Sequence, residues 1–218
     1  MPRLVARAIG AASVALFALA PALAGAGTPA PAARVARPAA TLDTAVFAGG
    51  CFWGVEGVFE HVRGVHDVVS GYAGGKVSAP SYEQVSTGET GHAEAVRVVY
   101  DPAKVSYAQL LQIFFAVAHD PTELNRQGPD VGTQYRSAVF YRTPAQQRAV
   151  EAYVAELRAT HAFPKPVVTQ LAPLAGFYAA EAYHQGYMAR HPDQPYIAIN
   201  DAPKVEQLRK RFPALYRA

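Results

Sequence analysis

The chain has 218 residues, half of them hydrophobic, a formal net charge of +3 and a single cysteine. That length suits one domain with a substantial core. The near balance of charge argues against a nucleic-acid-binding surface or electrostatic attachment to a membrane, and one cysteine cannot close a disulfide within the chain.

Arg3 and Arg7, the apolar run 9–19 and the small-x-small triplet Ala22-Leu23-Ala24 read as a secretory signal over residues 1–24, cleaved after Ala24. The apolar run is too short for a membrane anchor and meets Pro21. No cysteine follows the cleavage site to carry a lipid. Residues 25–40 are Ala, Pro and Gly with two arginines, a flexible-linker composition. The folded domain is therefore expected over 41–218 of an exported, periplasmic protein with no stable membrane association. Without Arg3 and Arg7, 18 basic residues face 17 acidic ones. Export usually goes with disulfides, so the lone thiol is either kept for chemistry or incidental.

The apolar run 45–47 leads through Gly49-Gly50 to Cys51 and then into a helical pattern. Glycine permits a sharp turn there, and a helix start places N–H groups and partial positive charge beside the sulfur, favouring thiolate. A lone cysteine is most often a small buried hydrophobe; the glycine turn, the helix start and the adjacent Phe52-Trp53 pair favour a reactive centre. Phe52, Val55, Phe59 and Val62 fall at helical spacing, with Glu56 and Glu60 facing away, and Gly64 ends the helix. A strand is expected over 65–72, then a glycine-punctuated polar stretch with a short helical turn, then a strand from Ala93 to Tyr100. Ser106 and Gln109 form a capping box for a helix through Val117. A long polar loop over 119–136 precedes a strand over 137–142. Thr143, Pro144 and Gln146 open a helix that buries Val150, Val154 and Leu157. A strand over 167–171 and a basic helical stretch over 204–211 complete the reading. Mixed strands and helices with irregular loops indicate an α/β sandwich, a mixed sheet with helices packed on it.

Glu94 shares its strand face with Val96, Val98 and Tyr100. It is either a strand-end carboxylate reaching solvent, or a buried acid whose raised pKa lets it donate a proton. Tyr82 and Tyr135 lie in polar, glycine-bearing loops, either as wet surface phenols or as donors to a developing oxyanion. Asp130 reads as a turn aspartate or a member of the same site. The histidines, His92, His119 and His184 among them, lack metal-ligand spacing, so no metal is expected.

With these residues in view, the chain resembles the type A peptide-methionine sulfoxide reductases. The resemblance rests on Gly50-Cys51-Phe52-Trp53-Gly54, Gly71-Tyr72-Ala73-Gly74-Gly75, Tyr82-Glu83-Gln84-Val85, Thr87-Gly88 through Gly91-His92-Ala93-Glu94, the stretch 119–137, and Glu181-Ala182-Tyr183-His184-Gln185. It implies a two-layer α/β sandwich with a ferredoxin-like core and long coil segments. It also implies reduction of the S epimer of methionine sulfoxide, free or in proteins, without metal or organic cofactor. In that scheme Cys51 attacks the sulfur, Glu94 protonates the oxygen, Tyr82 and Tyr135 hydrogen-bond it, Phe52 and Trp53 wall the methyl pocket, and Asp130 orders a water or the substrate backbone. Many relatives carry resolving cysteines in the tail; here residues 197–218 have none, and Ser86 stands where some relatives have cysteine. The resulting sulfenic acid would then need an external thiol: a thioredoxin-like or glutaredoxin-like protein, or a small thiol. The expected unit is a monomer. Two rivals remain: a cysteine hydrolase or acyltransferase pairing Cys51 with a histidine, and a non-enzymatic methionine-binding module.

Overall fold

The computed structural model describes residues 41–218, so the expected signal and linker, 1–24 and 25–40, lie outside the described residues. Strand β1 (Asp43–Gly49) turns through Gly50 into helix α1 (Phe52–Glu60), which returns to strand β2 (Val65–Ala73). A short helix α2 (Tyr82–Ser86), started by a Ser81–Gln84 capping box, precedes strand β3 (Ala93–Tyr100). Helix α3 (Tyr107–Ile113) begins at the expected Ser106–Gln109 box and runs into a π-helical turn, Phe114–Ala118.

The polar loop over 119–136 contains a two-residue ladder, β4 (Arg126–Gln127) with β5 (Asp130–Val131), and a 3-10 turn, Thr133–Tyr135. Strand β6 (Ser137–Tyr141) leads to helix α4 (Pro144–Ala159), whose N-cap Thr143 accepts the Gln146 amide as its sequence requires. Strands β7 (Gln170–Pro173) and β8 (Phe177–Ala179) follow, then helices α5 (Tyr187–Arg190) and α6 (Ala202–Arg211).

One six-stranded sheet has the order β7-β6-β1-β3-β2-β8, antiparallel except for the β6–β7 pair. Within it, β1-α1-β2-β3-α3-β6 gives the order β6-β1-β3-β2, the ferredoxin-like arrangement that the resemblance implied. Phe47, Phe59 and Phe114 stack between sheet and helices, with centroids 5.2 and 4.9 Å from Phe47. Each contributes roughly 2–3 kcal/mol by leaving water. The opposite sheet face is lined by small residues, Ala48, Ala73, Ala93, Ala95 and Ala138, and closed by Phe140, Leu174 and Phe177. Both faces are therefore covered, and β3 is buried almost throughout rather than alternating.

Three expectations change. Helix α1 stops at Glu60, before Gly64. The strand expected over 167–171 lies at Gln170–Pro173, because pairing with β6 sets its limits. Glu56 does not face away: it is buried, and one of its carboxylate oxygens accepts the Gly186 amide at 3.0 Å. The chain after Ala180 packs over α1, so the helix has little free face. Among the described residues, no helix is long and apolar enough to cross a membrane.

Candidate active site

The turn from β1 to α1 fixes the thiol. Gly50 adopts φ +87°, and a β-carbon there would lie 2.5 Å from the Gln127 side chain. Only glycine supports that backbone beneath that neighbour. Cys51 follows as the N-cap residue of α1, 8% exposed. Burial pushes its thiol well above the usual range, the carboxylates of Glu94 and Asp201 add to the rise, and the Trp53 amide and Lys204 offset part of it. This corrects the expected thiolate. The helix start does favour negative charge, but desolvation under the surrounding loops outweighs it. At neutral pH Cys51 rests as a thiol.

Glu94 lies on β3 opposite Tyr72 of β2 and is 3% exposed. Its Oε2 accepts the Phe52 amide at 3.0 Å, which satisfies an otherwise orphaned donor of the first turn of α1. Burial pushes its carboxyl up to about 8, with a smaller contribution from Asp130 and Asp201, although the Phe52 hydrogen bond opposes the rise. Of its two sequence readings, the buried acid is therefore the one found, protonated at neutral pH.

Tyr82 starts α2, and its amide donates to Glu181 Oε1 at 2.9 Å; Glu181 Oε2 accepts the Tyr72 hydroxyl at 2.9 Å. The block 181–185 thus pins the loop that presents the Tyr82 phenol. Tyr135 arrives from the 3-10 turn. Burial and then the nearby Glu94 carboxyl raise both phenols, which stay protonated donors. Trp53 is held on three sides: Nε1–H donates to His184 Nδ1 at 3.2 Å, Tyr187 stacks at 3.8 Å, and Tyr196 meets it edge-on at 6.2 Å. Phe52 is 1% exposed, its ring 4.9 Å from His184. Asp130, on β5, accepts the Tyr196 hydroxyl.

The structure brings all seven sequence-selected residues, Cys51, Phe52, Trp53, Tyr82, Glu94, Asp130 and Tyr135, around one cavity of about 90 Å³. Sequence reasoning missed Tyr196, which lines the same cavity, and His184 as the orienter of Trp53. The only sequence signal for Tyr196 is its place after Pro195 at the head of the apolar run Tyr196-Ile197-Ala198-Ile199. It also missed Asp201, fully buried, whose Oδ1 lies 3.0 Å from Lys204 Nζ. The other histidines are spent elsewhere: His119 on the Phe114 carbonyl and Ser137, and His92 on the Gly75 amide and the Val77 carbonyl. Among the described residues no histidine hydrogen-bonds Cys51, and no cluster of three or more His, Cys, Asp or Glu could hold a metal. A thiol, a neutral carboxylic acid and two phenols against aromatic walls can bind a small apolar group with a polar oxygen. The acid can protonate that oxygen while sulfur attacks the atom bearing it.

A family model described as peptide methionine sulfoxide reductase matches residues 43–215. A peptide methionine sulfoxide reductase MsrA 2 of Mesorhizobium japonicum is 53% identical over 174 residues, covering 80% of this chain and 89% of that protein. A peptide methionine sulfoxide reductase MsrA of Thermus thermophilus is 54% identical over 175 residues, covering 80% and 98%. Among solved structures, methionine sulfoxide reductase A of Corynebacterium diphtheriae gives a TM-score of 0.62 at 37% identity, covering 72% of this chain and 77% of that one. Reduced Mxr1 from Saccharomyces cerevisiae gives 0.64 at 34% identity, covering 70% and 87%.

Proposed function

Because the chain belongs to the peptide methionine sulfoxide reductase family and reduces methionine sulfoxide, we propose that Cys51 is its nucleophile, Glu94 its acid, and Tyr82 and Tyr135 its oxygen-binding donors. The observation that carries this reading is the single small cavity they share with Phe52 and Trp53. The substrate methyl group packs against the Trp53 and Phe52 rings, and the oxygen faces Glu94 and the two phenols. Asp130, joined to Tyr196, stands at the rim to order a water or the substrate backbone.

A sulfoxide oxygen leaves sulfur only when protonated. Glu94, a carboxylic acid below about pH 8, supplies that proton. As Cys51 sulfur bonds the sulfoxide sulfur, the thiol proton passes into the site and replaces the one Glu94 gave. Oxygen then transfers to Cys51, and the sulfide leaves as methionine. Two electrons from Cys51 reduce the substrate, and Cys51 becomes a sulfenic acid. The raised thiol suits this order: a site that stays uncharged until an oxygen arrives avoids a buried thiolate in the resting enzyme.

The sulfoxide sulfur is a stereocentre. A site that fixes the oxygen, the methyl group and the attacking sulfur accepts one hand, and the family resemblance implies the S epimer, free or in a polypeptide. With one cysteine in 218 residues, an external reductant discharges the sulfenic acid: a thioredoxin-like or glutaredoxin-like protein or a small thiol. Residues 1–24 mark the protein for export, so it repairs oxidised proteins in the periplasm, as a monomer. The test is steady-state reduction of the two epimers with each class of reductant. Activity on the R epimer alone, or Cys51-dependent ester cleavage without sulfoxide reduction, would overturn the reading.

A further inference from the structure

Cys51 borders two cavities, and the reaction above uses one. The second, about 170 Å³, is lined by Cys51, Gln127, Asp130, Tyr196, Asn200 and Lys204. Glu94, Tyr82 and Tyr135 line the first cavity and not the second.

This difference sets a direction at sulfur. In the proposed cycle the transferred oxygen is held by Glu94 and the phenols, so the S–O bond of the Cys51 sulfenic acid points toward the first cavity. Displacement at a two-coordinate sulfur runs in line, with the incoming thiolate opposite the leaving oxygen. The second cavity borders Cys51 with neither Glu94 nor either phenol in its wall. We propose, resting on the function proposed above, that the second cavity seats the recycling thiol. Its ligand is a low-molecular-weight thiol bearing a carboxylate, with Lys204 as the carboxylate's partner.

The lining supplies the selectivity. An ammonium has three donors; Lys204, which lines the cavity, spends one on Asp201 at 3.0 Å and two remain. The Asp130 carboxylate already holds the Tyr196 hydroxyl. The Lys204 charge also favours the thiolate form of an incoming thiol, which is the form that attacks. Size points the same way: Cys51 is only 8% exposed, within reach of a small molecule entering between the Gly128-Pro129 turn and the tail. The chemistry balances. The thiolate forms an S–S bond to Cys51 as the S–O bond breaks, and the oxygen leaves as water with a proton from Glu94, which the thiol's own proton replaces. A second thiol attacks the mixed disulfide, giving the free small-molecule disulfide and restoring the Cys51 thiol.

The test uses N-acetylcysteine and N-acetylcysteine amide, with the S epimer of N-acetylmethionine sulfoxide as substrate and every rate expressed per thiolate, because the carboxylate also makes the thiol less acidic. In the wild type, kcat/KM for the acid should exceed that for the amide about tenfold. Lys204→Met should bring the acid-to-amide ratio close to one; a ratio is immune to any change the substitution makes in Cys51 itself. Asn200→Phe fills the cavity while leaving both residues of the Lys204–Asp201 pair in the sequence. It should lower kcat/KM for thiol at least tenfold relative to kcat/KM for sulfoxide. The assignment is overturned if the ratios do not move, if acid and amide fall equally in Lys204→Met, if the sulfoxide side falls instead, or if only a thioredoxin-like protein recycles the enzyme. Methionine released in a single turnover without thiol is measured in parallel. Its absence in the wild type would count against the underlying function, whereas its presence with unmoved ratios counts against the thiol seat alone.

Discussion

Glu94→Gln separates the catalytic and structural roles of one buried group. Glutamine keeps the volume and an oxygen to accept the Phe52 amide, but has no acidic proton to give. A positioned general acid contributes roughly 10²–10⁴-fold, or about 3–5 kcal/mol of activation free energy, and that is the expected loss in the single-turnover rate. Stability should move the other way. The wild-type carboxyl is raised from 4.5 to about 8 in the folded protein, so the folded state holds a proton that the unfolded chain releases above pH 4.5. Wild-type stability is therefore full below 4.5 and falls as pH rises through 8. At about 1.4 kcal/mol per pH unit across that window, the penalty by pH 9 approaches roughly 5 kcal/mol. The assays are quenched-flow methionine formation from pH 6 to 9.5 and urea unfolding at pH 5 and pH 9. The wild-type rate should fall above about pH 8, that limb should vanish in Glu94→Gln, and the variant should gain stability over wild type at pH 9. A variant with wild-type rate, or a stability difference that is the same at both pH values, refutes the assignment of Glu94 as a neutral buried acid.

Three further outcomes follow from the same geometry. Tyr82→Phe and Tyr135→Phe should each slow single-turnover reduction by about tenfold, with the double variant slower than either, because each phenol supplies one donor to the oxygen; stopped assays with the S epimer check this. Cys51 should alkylate slowly with iodoacetamide at pH 7 and accelerate well above pH 9, since burial pushes its thiol up; rapid labelling at pH 7, measured by intact mass, would contradict it. Glu56, raised to about 7 by burial, holds the Gly186 amide. Glu56→Ala should cost about 1–3 kcal/mol in urea unfolding and loosen the segment that carries His184, read as increased amide exchange there.

How much of this was legible in the sequence depended on how local each cause is. The Ser106–Gln109 box and the Thr143 cap are four-residue signals and appear as read. The glycine turn placing Cys51 at a helix start is equally local. The protonation state of Cys51 was not legible, because the groups that bury it come from 94, 130 and 201. Glu56 occupies a helix position that its immediate neighbours mark as solvent-facing; only chain packed across it from 130 residues later makes it core. Tyr196 becomes a site residue by meeting Asp130, 66 positions earlier, through a tail whose composition marks no strand or helix there. Both faces of β3 are covered, so the question of which face Glu94 shares had less force than its register opposite Tyr72.

Oxygen exchange between methionine sulfoxide and the thiol and acid of one cavity is the core of this mechanism. It is tested most directly by a single turnover of the S epimer without reductant, followed by dimedone and mass spectrometry. One methionine per chain and one dimedone adduct, located on Cys51, are expected, with neither formed by Cys51→Ser. Methionine formed while Cys51 remains an unmodified thiol would contradict it.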